Sequence, residues 1–338
     1  MSIPLPGPDD LFHLLILLAI GFCIWVCVNT VLIIRLLRHP QRLSYGWAVA
    51  KGLPGDPGEA DKPVPYDDWK FRSPRGMDLP AWTLHNEADP DGPTLIICHG
   101  WGASRVTNLP LALELLPMTG RIVLWDMPGH GEAAGNTTLG RAEHRDLLAL
   151  LDSLRGDDFA DKPVFLLGSS MGAGIAVAAA AELCEKTGND AGGQENDRET
   201  TGYPHAGGGK LAGVIAVGVS RRVWEPARVM FRNNGLPWRF GGVPALFLLS
   251  LFSARPGWFD RREQAARLCV PLLVMTGEND NICPPGEGQA LTEVARHGEM
   301  VVLPGGEHGR ELETSPDLFR DSLRKFISRC VKGSNEDK

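Results

Sequence analysis

The sequence predicts an α/β fold, with a mostly parallel sheet and helices on both of its faces. Short, fully apolar runs typical of buried parallel strands alternate with longer runs of helical character. The predicted strands of this series cover residues 94–98, 122–125, 164–167, 211–219, 271–276 and 300–303. The helical runs include residues 106–118, 139–155 and 173–186. Two opening strands, at 69–72 and 79–85, are joined by a predicted turn at 74–76.

Ser170 lies at the apex of a predicted sharp turn between a strand and a helix. It is the centre of the pentapeptide 168–172 (Gly-Ser-Ser-Met-Gly), which separates the strand run from the Ala-rich helical run. Such a turn exposes the hydroxyl, and the flanking glycines avoid the collisions that a Cβ would cause. A serine hydroxyl becomes a nucleophile when a base and oxyanion donors lie close to it. We predict that Ser170 is a nucleophile; the alternative is a structural turn serine.

A carboxylate and a histidine follow the serine in the chain, each directly after a predicted strand. Asp280 follows the run 271–276, and His308 follows the run 300–303. The carboxyl ends of parallel strands meet at one edge of a sheet, so both side chains are expected to reach Ser170. His308 would act as the base and Asp280 would orient it. Glu278 and Asp260 are the alternative acids.

Backbone N–H groups are the predicted stabilisers of the oxyanion. The strand run 94–98 leads into the loop 99–102 (His-Gly-Trp-Gly), and Met171 directly follows the predicted nucleophile. Backbone donors suit this task because they are fixed before the reaction begins. We therefore predict that the N–H groups of Trp101 and Met171 form the oxyanion hole.

Four features, in this order, resemble the α/β-hydrolase superfamily. They are the loop 99–102, the loop 126–131 (Asp-Met-Pro-Gly-His-Gly), the turn at Ser170, and the segment 277–284 with the later His308. The resemblance covers residues 66–332 and implies an α/β-hydrolase fold carrying a serine hydrolase that is similar to carboxylesterases and lipases. It implies hydrolysis of an ester, thioester or amide, and no cofactor.

The resemblance also implies that the insertion 221–267 is a cap over the active site. In that case Phe247 and Phe252 would line an acyl pocket, with packing of the cap onto the core as the alternative role. The favoured substrate is a small-molecule or lipid-like carboxylic ester. A peptidase, a thioesterase, an acyltransferase and a non-catalytic scaffold on the same fold remain alternatives.

The N-terminal region predicts a membrane anchor. After a tail at 1–10, residues 11–34 carry no formal charge, and as a helix they would extend about 36 Å, enough to cross a bilayer. We predict a transmembrane helix at 11–37 and a juxtamembrane linker at 38–65. Arg35, Arg38 and Arg42 place the enzyme domain on the cytoplasmic side by the positive-inside rule. A cleaved signal peptide and a buried core helix are the alternatives, although the charged start and the long apolar run are atypical of a signal peptide.

Two other segments carry little sign of a packed core. Residues 187–209 contain almost no apolar side chains, which predicts a flexible insertion, and residues 333–338 form a C-terminal tail. The net charge is −7 at pH 7, and the part of the chain after the anchor has no basic cluster, so nucleic acid is not a predicted partner.

The sequence predicts neither a metal site nor a disulfide framework. The seven cysteines include no C-x-x-C pair, and the metalloprotease and nucleotide-binding motifs are absent from the sequence. Scattered cysteines of odd number are typical of a reducing compartment. Oligomeric state does not follow from the sequence.

Overall fold

A computed structural model describes residues 7–154, 159, 162–190, 204–206, 208–251 and 260–336 of the chain. The strands are β1 (Tyr66–Arg72), β2 (Asp78–His85), β3 (Thr94–Cys98), β4 (Arg121–Trp125), β5 (Pro163–Ser169), β6 (His205–Ala206), β7 (Gly209–Val217), β8 (Leu272–Gly277) and β9 (Gly298–Leu303). The α-helices are α1 (Pro8–Arg38), α2 (Tyr45–Ala50), α3 (Leu109–Leu115), α4 (Glu143–Ser153), α5 (Met171–Asp190), α6 (Trp224–Asn233), α7 (Val243–Leu251), α8 (Arg261–Ala265), α9 (Pro285–Thr292), α10 (Glu311–Thr314) and α11 (Pro316–Glu336).

The strands form one sheet in the order β1-β2-β4-β3-β5-β7-β8-β9, and the short β6 pairs with β7. The β1–β2 and β2–β4 pairs are antiparallel, whereas β4, β3, β5, β7, β8 and β9 are parallel to one another. The loops that follow the parallel strands therefore collect at one edge of the sheet.

Helices cover both faces of this sheet, as the alternation in β5 shows. Val164 and Leu166 belong to one buried apolar cluster, and Phe165 and Leu167 belong to another, because successive side chains of a strand point to opposite faces. Helices α4 and α5 supply the first cluster, and α3 and α11 supply the second. The predicted α/β fold with helices on both faces is confirmed.

Helix α1 has 31 residues, which corresponds to about 46 Å, and it is long and apolar enough to cross a membrane. Its large side chains from Leu11 to Val28 are mostly exposed in the isolated chain. Its last turns differ, because Thr30, Ile33 and Leu37 are buried.

The segment 38–65 is folded against the sheet domain. It contains α2 and a 3₁₀ turn at Pro57–Glu59, and Ala48 of α2 is fully buried. The guanidinium of Arg42 donates to the carbonyl of Ala133 at 2.9 Å, and the hydroxyl of Ser104 donates to the carbonyl of Leu43 at 2.6 Å. These contacts fix the end of α1 close to the loops at the sheet edge.

The predicted cap occupies the chain between β7 and β8. It contains α6, a π-helical turn at Trp238–Gly242, α7 and α8, and α1 packs against the π-turn and α7. Residues 252–259, which include the predicted pocket residue Phe252, lie outside the described residues. Of the insertion 187–209, residues 191–203 and 207 also lie outside them.

A disulfide joins Cys184 of α5 to Cys269, which precedes β8. The prediction that the cysteines form no such bond is wrong for this pair. The two residues are 85 positions apart in sequence, and only the packing of α5 beside α8 brings them together. Spacing in the sequence carries no sign of this contact.

Candidate active site

The predicted turn at Ser170 has the backbone strain that a nucleophile elbow requires. Ser170 has φ +54°, a left-handed value that a non-glycine residue seldom adopts. A Cβ on Gly168 would overlap the carbonyl of Gly172, and a Cβ on Gly172 would overlap the carbonyl of Cys98. Both glycines are therefore needed for the strand and the helix to approach this closely, and the serine projects from the tip.

The structure brings Ser170, His308 and Asp280 into one hydrogen-bonded chain. The Nε2 atom of His308 lies 3.0 Å from the Oγ atom of Ser170, and its Nδ1 atom lies 2.7 Å from Oδ2 of Asp280. The other carboxylate oxygen of Asp280 accepts the N–H groups of Ile282 and Cys283 at 2.9 and 2.7 Å. Asp280 is buried, so its carboxylate is held in one orientation toward the imidazole.

The two alternative acids are engaged elsewhere. Glu278 accepts the N–H of Gly305 in an exposed loop. Asp260 pairs with the guanidinium groups of Arg221 and Arg222 and caps α8. Neither carboxylate shares the hydrogen-bonded chain, which leaves Asp280 as the partner of His308 in this structure.

The loop with Trp101 runs directly beside the elbow. A Cβ on Gly100 would lie 3.4 Å from both the carbonyl oxygen of Ser169 and the Cβ of Ser170. Trp101, Met171, Ser170 and His308 line the same cavity. The residues that carry the two predicted oxyanion donors are thus brought together around the hydroxyl.

Two buried neutral histidines connect the loops around this cavity. The Nε2 atom of His99 accepts the N–H of Met127 at 3.0 Å, so its Nδ1 carries the proton and donates to the carbonyl of Gly100 at 2.8 Å. Burial, with the neighbouring His130, lowers the pKa of His99 to about 3, and burial lowers the pKa of His130 to about 4. The imidazoles are therefore structural and uncharged at neutral pH.

Asp126 fixes the second of these loops. Its two carboxylate oxygens accept the N–H groups of Arg105 and Glu132 at 2.7 and 2.9 Å. Burial raises its pKa to about 6, although the Arg105 guanidinium opposes the shift. The carboxylate therefore positions the loop backbone.

The cavity beside Ser170 has a volume of about 320 Å³ and a mainly apolar lining. Besides the residues already named, it is lined by Leu37, Leu139, Gly174, Ser220, Val223, Pro226, Ala227, Met230, Leu246, Arg261 and Ile282. Its size and character suit a small or extended apolar ligand. Six of the fifteen lining residues belong to the cap, and Leu37 belongs to the last turn of α1.

The structure does not place the predicted pocket residue Phe247 in the lining of this cavity. Its side chain is 55% exposed, and the neighbouring Leu246 lines the cavity instead. Successive residues of a helix point about 100° apart, so the packing of α7 against α1 and α6 decides which of the two faces inward. Sequence reasoning did not identify Leu37 as a cavity residue, because no pattern in a uniformly apolar helix distinguishes one leucine from another.

A thiol lies close to two of the polar side chains. Ligand atoms of Asp280, Cys283 and His308 lie within 4.8 Å of one another, a residue set that metals can bind. Burial and the charge of Asp280 raise the pKa of the Cys283 thiol well above its usual range, which disfavours the thiolate that a metal requires. Asp280 and His308 are also hydrogen-bonded to each other, which engages Nδ1 of the imidazole.

Comparison with known proteins shows the family of the chain. The family model described as "Alpha/beta hydrolase family" matches residues 95–322, which include all three residues of the hydrogen-bonded chain. The chain belongs to the alpha/beta hydrolase family. The match begins in β3 and ends in α11, so it contains the parallel part of the sheet and the cap.

Curated relatives of this hydrolase include esterases. The pimeloyl-[acyl-carrier protein] methyl ester esterase of Neisseria meningitidis is 25% identical over 250 residues, which cover 68% of this chain and 77% of the relative. The monoglyceride lipase of Homo sapiens is 26% identical over 234 residues, 63% of this chain and 74% of the relative. Among solved structures, an esterase of Pyrococcus furiosus matches with a TM-score of 0.60 and 20% identity, covering 87% of this chain and 98% of the other. This last likeness shows the fold.

Proposed function

We propose that this protein is a serine hydrolase that cleaves a carboxylic ester through an acyl-enzyme on Ser170. The observation that carries the proposal is the continuous chain of hydrogen bonds from Ser170 Oγ through the His308 imidazole to Asp280. The left-handed backbone of Ser170 adds support, because strain of this kind persists where function requires it.

The proposed reaction has two halves. His308 Nε2 takes the proton of Ser170 as Oγ bonds to the ester carbonyl carbon, and the carbonyl oxygen becomes an oxyanion that the N–H groups of Trp101 and Met171 stabilise. Collapse breaks the ester bond, and the imidazolium gives its proton to the leaving alcohol. A water molecule, deprotonated by His308, then attacks the acyl-enzyme, and its proton returns to Ser170 as the acid leaves. Asp280 stabilises the imidazolium in both halves.

An ester with an apolar acyl group is the proposed substrate class. The cavity lining is mainly apolar, and the curated relatives named above include a methyl ester esterase and a monoglyceride lipase. An apolar pocket binds an acyl chain by removing its surface from water. A lipid-like ester therefore fits the site better than a charged peptide.

A panel of p-nitrophenyl esters of increasing acyl length, with matched amide and thioester substrates, tests the proposal. Wild-type protein should cleave esters fastest, and Ser170→Ala and His308→Ala should each lower kcat by at least about three powers of ten. Preferential cleavage of the amide or thioester would move the assignment to a peptidase or thioesterase. Ester turnover that survives Ser170→Ala would refute the proposed nucleophile.

We further propose that α1 anchors the enzyme in a membrane. Its exposed residues from Leu11 to Val28 would be costly to leave in water. Removal of residues 1–28 should release the protein into the soluble fraction and leave the buried last turns of α1 in place. A truncated protein that remains in the membrane fraction would show that another surface anchors it.

Two features of the chain predict opposite sides of the membrane for the enzyme domain. Arg35, Arg38 and Arg42 follow the apolar run directly and favour a cytoplasmic domain, whereas the disulfide of Cys184 and Cys269 is typical of an oxidising compartment. We propose the cytoplasmic side, because the positive-inside rule acts on residues this close to a span. Protease treatment of intact cells should leave the enzyme domain uncut. Cleavage of the domain in intact cells would reverse the topology.

A further inference from the structure

The last turn of α1 faces the cavity beside Ser170. Leu37 is 6% exposed, and its side chain lines the cavity together with Leu139, Ala227 and Leu246. These four residues belong to one buried apolar cluster. A helix that served only as a tether would have no side chain in this position.

Hydrogen bonds attach the end of α1 to the loops of the active site. The indole Nε1 of Trp101 donates to the carbonyl of Leu37 at 2.9 Å, and the N–H of Thr137 donates to the carbonyl of Arg38 at 3.2 Å. These carbonyls belong to the last turn, where a helix has no further N–H groups of its own to offer. Trp101 thus connects α1 to the proposed oxyanion hole.

Helix α1 also packs closely against the cap. A Cβ on Gly241 in the π-turn would lie 2.6 Å from Cδ1 of Ile33 and 3.4 Å from Cβ of Asn29. The absence of a side chain at Gly241 lets the cap backbone approach the helix directly. Because Ile33 is one helical turn before Leu37, the same face of α1 contacts the cap and the cavity.

An apolar surface continues from α1 onto the cap. The ring of Phe240 in the π-turn lies 5.2 Å from the ring of Phe22 and 6.3 Å from that of Trp25. Phe247 and Leu251 of α7 extend this surface and are 55% and 60% exposed. If α1 lies in a bilayer, the exposed apolar face of the cap lies at the lipid boundary, where acyl chains are available.

We propose that the last turn of α1 is a wall of the acyl-binding site, where the acyl chain of a membrane lipid ester lies against Leu37. This inference rests on the proposed function and names its substrate class. Leu37 is then a specificity-determining residue that sets the preferred acyl length, and the anchor and the substrate pocket share one helix.

Substitutions at Leu37 in the full chain, purified in detergent micelles, test the proposal. The assay is kcat/KM for p-nitrophenyl esters from acetate to palmitate. Leu37→Trp should lower kcat/KM for the long esters by about tenfold or more and change that for acetate by less than about threefold, because a filled pocket excludes methylene groups. Leu37→Ala should shift the preference toward longer chains. Leu36→Trp is the matched control, since Leu36 is the preceding residue and is 46% exposed, and its profile should equal that of wild type.

Wild-type chain-length profiles for both Leu37 variants would overturn the inference. A binding assay separates this result from failure of the proposed chemistry: displacement of a fluorescent fatty acid from Ser170→Ala protein by fatty acids of graded length. Leu37→Trp in that background should weaken long-chain binding about tenfold even if no ester is cleaved. Equal affinities with and without the substitution would count against the inference independently of turnover.

Discussion

Replacement of Asp280 by asparagine tests the proposed role of the acid with little change in shape. In the structure one carboxylate oxygen accepts the N–H groups of Ile282 and Cys283, and the other faces Nδ1 of His308 at 2.7 Å. An asparagine oxygen can keep the two backbone bonds, which turns its NH₂ group toward His308. Nδ1 must then accept, so the imidazole proton moves to Nε2, the atom that faces Ser170 at 3.0 Å.

An Nε2–H imidazole cannot take the serine proton, so Asp280→Asn should lower kcat by about four powers of ten. At 1.36 kcal/mol for each tenfold change, the loss corresponds to about 5 kcal/mol of transition-state stabilisation. The assay is kcat for a short p-nitrophenyl ester, with urea unfolding to show that the variant is folded. Glu278→Gln is the matched control and should stay within about threefold of wild type, because its carboxylate accepts an exposed loop N–H. Near-normal turnover of Asp280→Asn, or a large loss in Glu278→Gln, would refute this reasoning.

Two further predictions concern stability. Gly172→Ala should destabilise the fold by about 3 kcal/mol or more, because its Cβ would overlap a backbone carbonyl. In the control Gly286→Ala in α9, the new Cβ meets open space, so this variant should be neutral or more stable by about 0.5 kcal/mol. Equal urea midpoints for the two variants would contradict this prediction. Stability should also fall in mild acid, since His99 and His130 stay neutral when folded and protonate when unfolded below pH 6.5. Between pH 7 and 5 each costs about 2 kcal/mol. Burial raises the pKa values of Asp126, Asp146 and Glu311, and their protonation in the folded state offsets part of this loss, so the free energy of unfolding in urea should fall by less than about 4 kcal/mol. A free energy of unfolding that is unchanged at pH 5 would contradict the account of the buried histidines.

The fold and the polar part of the site are predictable because they depend on local rules. Gly168 and Gly172 mark a turn that only glycine allows at those positions, and this places Ser170 at its tip. Asp280 and His308 follow parallel strands, and strand order then places them at the same edge. Short apolar runs, turn chemistry and chain order together carry this information.

The apolar part of the site depends on packing between distant segments, which the sequence does not encode locally. Phe247 and Leu246 are both large and apolar, and only the contact of α7 with α1 and α6 turns Leu246 inward. Leu37 lies in a uniformly apolar helix, so its position in the cavity follows from the way the helix end is held by Trp101. The disulfide likewise depends on a contact between helices, because Cys184 and Cys269 are 85 residues apart in the sequence.

The most direct test of the account is mass spectrometry of the protein after reaction with a fluorophosphonate probe. The probe forms a stable adduct with a serine that a neighbouring base activates. We predict one adduct per chain, located on Ser170 in the peptide map, and its loss in both Ser170→Ala and His308→Ala. An adduct on another residue, or labelling of wild-type protein no faster than of His308→Ala, would contradict the claim that His308 makes the Ser170 hydroxyl reactive.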